Sequence, residues 1–239
     1  MQFEEIDGKI AECLKKIENA KERAGRHDEV TLIGATKTQS SELIAYLQEK
    51  ELLSDVGENR VQEIVDKYDS GKRLNWHMIG QLQTNKVKYI IDKVCLIHSL
   101  DRESLADEID RQAEKHKITC DCLVEINMGG ELSKGGVEKD KLFDFIDYVE
   151  KKAAIRLRGI MTVMPNLQDR EHLKSLYKDF KQLFEEVKKR ASSRHKIDVC
   201  SCGMSGDYEM AIEYGGATAV RLGRIIFGER NYAAITAQR

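Results

Sequence analysis

The stretch LIGATKTQ, Leu32 to Gln39, brings a single lysine to the end of an apolar run. Lys37 can be read as a solvated loop residue or as an amine held for a carbonyl. A free lysine has a pKa near 10.4, so roughly one molecule in a few thousand carries the neutral, nucleophilic form at pH 7. Burial or a cationic neighbour raises that fraction. Ile33, Ala35 and Lys37 succeed one another with the period of two that places side chains on one face of a strand. If that face looks into a barrel, the amine rises from its centre.

Two other stretches could hold an anion. GMSGDYEMAIEYG, Gly203 to Gly215, reads as a strand end turning into a helix, with Ser205 as N-cap and the N–H groups of Gly206 and Asp207 facing a phosphate. An ordinary capped helix explains the same pattern, and Asp207 adds negative charge there. RLGRIIFG, Arg221 to Gly228, sets Gly223 and Arg224 alongside. Arg221 shares a strand face with Ala219; pointing inward, it either meets a ligand or pairs with a carboxylate such as Glu58 or Glu125. His77, in WHMIGQLQTNK, has no Ser/His/Asp or metal-ligand spacing around it, so it and Ser201 are expected to stand behind the contacting residues. MGGELSKGG, Met128 to Gly136, lacks the G-K-[ST] ending of a phosphate-binding loop, which puts Lys134 on a lid instead. Cys120/Cys122 and Cys200/Cys202 lie two apart in apolar runs, and buried thiols account for them better than zinc, whose ribbons use C-x-x-C.

The elements that must position these residues alternate along the chain. An amphipathic helix opens it, with Phe3, Ile6, Ile10, Leu14 and Ile17 as its apolar stripe. Short apolar runs then alternate with helical patterns: VTLIGAT with SELIAYLQEKELL, SDVG with VQEIVDKY, NWHMIG with NKVKYIID, VCLIHS with ESLADEIDRQAEKH. The second half continues with TCDCLVEIN and DKLFDFIDYVEKK, RLRGIMTV and EHLKSLYKDFKQLFEEVKKR, IDVCSCG and DYEMAIEYG, ATAVRLG and RIIFGERNY. About eight β/α units in 239 residues fit a single (β/α)8 TIM barrel, residues 1–239, with an extra N-terminal helix; an open doubly wound sheet is the competitor. Barrel chemistry gathers at the C-terminal ends of strands. The polar residues expected there are Lys37, Glu58, Asn59, His77, Gln81, His98, Ser99, Asn127, Thr162, Ser201, Met204, Ser205, Arg221 and Gly223.

Composition narrows the setting. With 33% charged residues and a net charge of -2, the chain has no bias toward nucleic acid. No apolar stretch approaches the roughly 20 residues that cross a bilayer, and the acidic start MQFEEIDGKI is unlike a secretory signal, so a cytoplasmic protein is expected. A self-sufficient barrel is expected to be a monomer.

In order along the chain, GATKTQ, GENRVQE, WHMIGQLQTNKVK, HSLD, INMGGELSKGG, RGIMTVMP, GMSGDYEMAI and VRLGRIIFGERNY resemble the pyridoxal phosphate homeostasis proteins, a family similar to the N-terminal barrel of alanine racemase. The resemblance implies pyridoxal 5'-phosphate held as a Schiff base on Lys37, with phosphate contacts from Ser205, Gly206, Gly223 and Arg224, Arg221 near the ring nitrogen, and Asn59 and Met204 in contact. It implies intracellular vitamin B6 homeostasis without strong catalysis; candidate partners beyond the cofactor are apo enzymes that use it. The chain departs from the family at Arg224, often Thr or Ser, and at Cys202, often Met. The alternative is a pyridoxal-phosphate-dependent racemase or lyase with Lys37 on one face and His77 or Tyr208 on the other. Racemases of this type take one acid/base group from a second, β-rich domain that this chain has no residues left to build.

Overall fold

The computed structural model describes residues 3–130 and 135–228. The stretches read as strands become β1 (Thr31–Ala35), β2 (Asp55–Glu58), β3 (Asn75–Met78), β4 (Leu96–Leu100), β5 (Cys120–Glu125), β6 (Ile155–Met161), β7 (Val199–Ser201) and β8 (Ala219–Leu222). All are parallel and hydrogen-bonded in chain order. The sheet closes because β8 returns to β1, with Thr31 opposite Ala219 and Gly34 opposite Leu222. That pairing decides between barrel and open sheet.

The helices are α1 (Phe3–Arg23), α2 (Ser41–Glu49), α3 (Val61–Lys67), α4 (Glu103–His116), α5 (Leu142–Val149), α6 (Arg170–Arg190), α7 (Tyr208–Gly215) and α8 (Arg224–Phe227). Two expectations change. NKVKYIID makes only a 3-10 turn, Thr84–Tyr89, so the β3–β4 connection carries no α-helix. On α1 the buried stripe is Ile6, Ile10, Cys13, Ile17 and Ala20, whereas Leu14 and Phe3 are 43% and 37% exposed. At about 100° per residue, Leu14 lies about 80° from the stripe's centre and Phe3 about 60°, on its shoulders. Phe3 rests instead on the ring of Tyr46, 5.0 Å between centroids. Lys134, read as a lid residue, lies outside the described residues.

Alternation along each strand separates two interiors. Val56, Trp76, Met78, Ile97, Val124, Ile160, Val220 and Leu222 pack outward under the helices, on Ile44, Ile64, Ile109, Phe180 and their neighbours. Cys120, Cys122, Cys200 and Cys202 are buried in that outer layer as free thiols. Inside the ring, Leu96, Leu123 and Met161 form a small apolar cluster of their own. Toward the N-terminal ends of β5 to β7 a half-buried ionic cluster forms: Arg158 holds Asp198 through two hydrogen bonds of 2.8 Å and Asp121 through one of 2.7 Å.

The register between β5 and β6 slips at Cys122/Leu123, where Leu157 and Gly159 face consecutive residues and Arg158 is passed over. Gly159 takes φ +145, and a Cβ there would stand 1.9 Å from the Val199 carbonyl oxygen. The bulge therefore requires glycine. Gly159→Ala is expected to lose at least about 3 kcal/mol of stability through forced backbone displacement. Urea unfolding checks this, and a midpoint unchanged from wild type contradicts the bulge.

Candidate functional site

The C-terminal mouth of the barrel opens into a cavity of about 700 Å³. Lys37, Asn59, Met204, Ser205, Gly206, Arg221, Gly223 and Arg224 all line it. They come from four strand ends far apart in the chain, which only the closed ring brings together.

Each strand end is shaped by local rules. β1 stops at Ala35; Thr36 to Gln39 then form a turn closed by the Gln39 N–H on the Thr36 carbonyl at 3.0 Å, with Thr38 at φ +68. Lys37 thus reaches the cavity from a turn and not, as the alternation suggested, from a continuing strand. Asn59 follows β2 and is packed against Gly80, where a Cβ would lie 2.4 Å from the Asn59 carbonyl oxygen. After β7 the expected Ser205 cap does not form. Asp207 occupies the N-cap position of α7, and its Oδ1 accepts from the Met204 N–H at 2.7 Å. Ser205 Oγ accepts instead from the Ile225 N–H at 3.3 Å, tying the β7–α7 turn to α8. Arg170, at the start of α6, adds a cation to the same cavity that spacing along the sequence did not single out.

Behind the cavity a hydrogen-bonded spine runs through the barrel. Arg221 Nη1 donates to Ser201 Oγ at 2.5 Å and Nη2 to the Thr162 carbonyl at 2.8 Å. Ser201 Oγ lies 3.0 Å from His98 Nδ1, His98 Nε2 lies 3.0 Å from His77 Nδ1, and His77 Nε2 lies 2.9 Å from Asp55 Oδ1. With both imidazoles neutral, the Asp55 carboxylate, which can only accept, sets the direction of every link. Ser201 donates to His98 Nδ1, His98 donates from Nε2 to His77 Nδ1, and His77 donates from Nε2 to Asp55. This assignment follows from the network's geometry. Burial, followed by the electrostatic effect of His77 and Arg221, holds the His98 imidazole well below its usual pKa, in keeping with a neutral ring.

His77 and Ser201 therefore sit behind Arg221 and not on the cavity wall. Arg221 takes neither carboxylate as a hydrogen-bond partner. Glu58 turns to Thr36 and Lys67, and burial pushes its carboxyl up to about 7 against the pull of Lys67. Glu125 is likewise pushed up to about 7, by burial and then by Asp101, with Arg221 opposing. Asp55 and Lys67 gave no signal in the sequence: one opens a strand, and the other looks like a solvated helix lysine. Among the described residues, no group of His, Cys, Asp and Glu could hold a metal ion.

The model of the alanine racemase N-terminal domain matches residues 11–231. The chain belongs to this family. A pyridoxal phosphate homeostasis protein of Aquifex aeolicus is 43% identical over 227 residues, covering 94% of this chain and 98% of that one. A protein of Bifidobacterium adolescentis described as unknown superposes with TM-score 0.88 at 30% identity, over 94% of this chain and 95% of its own. PipY of Synechococcus elongatus, solved with PLP bound, gives TM-score 0.78 at 25% identity, over 93% of this chain and all of its own.

Glu125 gives this interior a pH signature. A carboxyl that stays protonated to about 7 in the fold but ionises near 4.5 when unfolded costs stability as pH rises between those values. Glu125→Gln removes that cost, so it should gain on wild type between pH 5 and pH 8 by up to about 3 kcal/mol. Urea midpoints at the two pH values measure the gain; parallel behaviour of the two proteins would contradict the buried carboxyl.

Proposed function

We propose that this chain binds pyridoxal 5'-phosphate in the barrel mouth, joined to Lys37, and serves intracellular vitamin B6 homeostasis as a holder of the cofactor without strong catalysis of its own. The observation that carries the reading is one cavity sharing an amine at Lys37, a guanidinium at Arg221 and two turns at Ser205–Gly206 and Gly223–Arg224. The names of relatives that match almost end to end, and PipY solved with PLP, support it.

The donor set suits that group. Gly206 has open space around the position a Cβ would take, so the turn can close on a phosphate without a side chain in the way. Arg170 and Arg224 supply positive charge at the same place. The bound group supplies an aldehyde, the electrophile an amine can attack. Lys37 offers the amine from its turn. Arg221, locked as a donor by Ser201 and Thr162, leaves a ring nitrogen only a donor to meet, which keeps that nitrogen unprotonated and weakens it as an electron sink.

The same lining disfavours the racemase or lyase alternative. Moving a proton on both faces of a substrate takes a second base opposite Lys37. His77 is engaged by Asp55 and His98 away from the cavity. Tyr208 lines an adjoining cavity of about 470 Å³ and not the mouth itself, and burial raises its phenol, which makes it a poor base at neutral pH.

Purified protein titrated with pyridoxal 5'-phosphate is expected to develop a visible band and a borohydride-trapped adduct on Lys37, both lost in Lys37→Ala. If the alanine variant keeps the reducible chromophore, the reading fails. A panel of L- and D-amino acids should show no α-proton exchange beyond that of free cofactor; robust exchange would favour the enzyme.

A further inference from the structure

The turn that carries Lys37 is not held by β1 alone. Lys67, at the C-terminal end of α3, is 6% exposed, and its ammonium points back under the turn. It donates to the Thr36 carbonyl at 3.0 Å, to Glu58 Oε1 at 2.9 Å and to Glu63 Oε2 at 3.0 Å. Those three acceptors use all three of its protons. The acceptors also hold the turn directly. Glu58 Oε1 accepts from Thr36 Oγ1 at 2.8 Å, and Glu63 Oε2 accepts from the Thr38 N–H at 2.8 Å. The residues on both sides of Lys37 are thus fixed by one ionic cluster on β2 and α3, while Lys37 itself stands in the turn that follows β1.

The conformation being held is an unfavourable one. Thr38 sits at φ +68, a left-handed geometry that β-branched residues rarely adopt because Cβ crowds the backbone. Such a residue persists only where its surroundings over-determine it, and these places gather at functional sites. Here the surroundings are identifiable. Remove the ammonium, and Glu58 and Glu63 lose their shared counter-charge while the Thr36 carbonyl loses one of its donors. Thr38 can then relax, and the backbone that aims Lys37 relaxes with it.

We propose that Lys67, acting through Glu58 and Glu63, is the positioning residue for Lys37: it imposes the left-handed Thr38 turn that presents the amine to the cavity. This inference rests on the reading of Lys37 as the aldehyde-binding amine. Neutralising carboxylates alone would not require its hydrogen bond to the Thr36 carbonyl; that bond, with Glu63 on the Thr38 N–H, gives it a directional task as well.

The test uses the full chain and pyridoxal 5'-phosphate, reading the fraction trapped on Lys37 by borohydride against cofactor concentration. Lys67→Met should fold, as judged by circular dichroism and thermal unfolding, yet need about tenfold more cofactor for half-trapping, the equivalent of about 1.4 kcal/mol. Thr38→Gly, which adopts the left-handed turn without help, should titrate like wild type alone and restore most of the loss when combined with Lys67→Met. A merely structural Lys67 would give no such rescue. If Lys67→Met does not fold, Glu63→Ala carries the same pair of measurements, because Glu63 is nearer the surface and accepts from Thr38 directly. Wild-type titration in the folded single variant, or no rescue by glycine, overturns the proposal. Should Lys37→Ala keep its adduct, the site reading itself fails; should that adduct vanish while Lys67→Met titrates normally, only the positioning role fails.

Discussion

Arg221 carries a permanent charge into the middle of a closed ring of strands, and the barrel's polar interior is organised around satisfying it. A guanidinium cannot shed its proton to escape burial, so partners must be built for it. The chain provides them from the strands beside and opposite: Ser201 on β7, the Thr162 carbonyl after β6, then His98 on β4, His77 on β3 and Asp55 on β2. With both imidazoles neutral, the accepting carboxylate at one end confines each to one tautomer. The donor at the cavity is thereby tied to a carboxylate at the start of β2.

The two ends of the barrel divide stability from recognition. Toward the N-terminal ends of β5 to β7, arginines and aspartates neutralise one another pairwise, and nothing is left over for a ligand. At the C-terminal ends, Lys37, Arg170, Arg221 and Arg224 face one cavity, and the nearest carboxylate on its wall, Asp207, is folded back onto the Met204 N–H. Gathering four cations and one carboxylate on a single wall is unfavourable for the fold taken alone. It is what an anion-binding mouth requires.

What could be read from the sequence was whatever local periodicity encodes. Alternation marked each of the eight strands, and the two-residue period put Ile33 with Ala35 and Ala219 with Arg221 on inward faces. Closure was favoured by the number of units and the length, whereas the contact that makes it, β1 meeting β8 across almost the whole chain, lies beyond local periodicity. The residues supporting the candidate site were hidden for a related reason. His98 looked like one polar strand residue among several, and Asp55 and Lys67 looked like solvated charges. Each gains its meaning from a neighbour at least nine residues away. Ser205 was misread because a serine before a helix usually caps it, whereas here the competing partner is the backbone of α8.

Holding a reactive aldehyde and doing chemistry with it make different demands on the same wall. Catalysis on an amino acid needs groups whose pKa values let them take and return a proton at the reacting carbon. The cavity wall offers cations, amides, hydroxyls and apolar side chains such as Met164, Pro165 and Leu167, and its carboxylate, Asp207, is occupied by the Met204 N–H. The interior carboxyls with raised pKa values, Glu58 and Glu125, are not on that wall; one is committed to the Lys37 turn and the other lies beside Asp101. Proton-transfer capacity is therefore present in the barrel but displaced from the place where a substrate would meet it. A wall of this kind suits the proposed holding role better than turnover, with the Arg221 donor fixed by the through-barrel spine and the turn before α2 fixed by Lys67, Glu58 and Glu63.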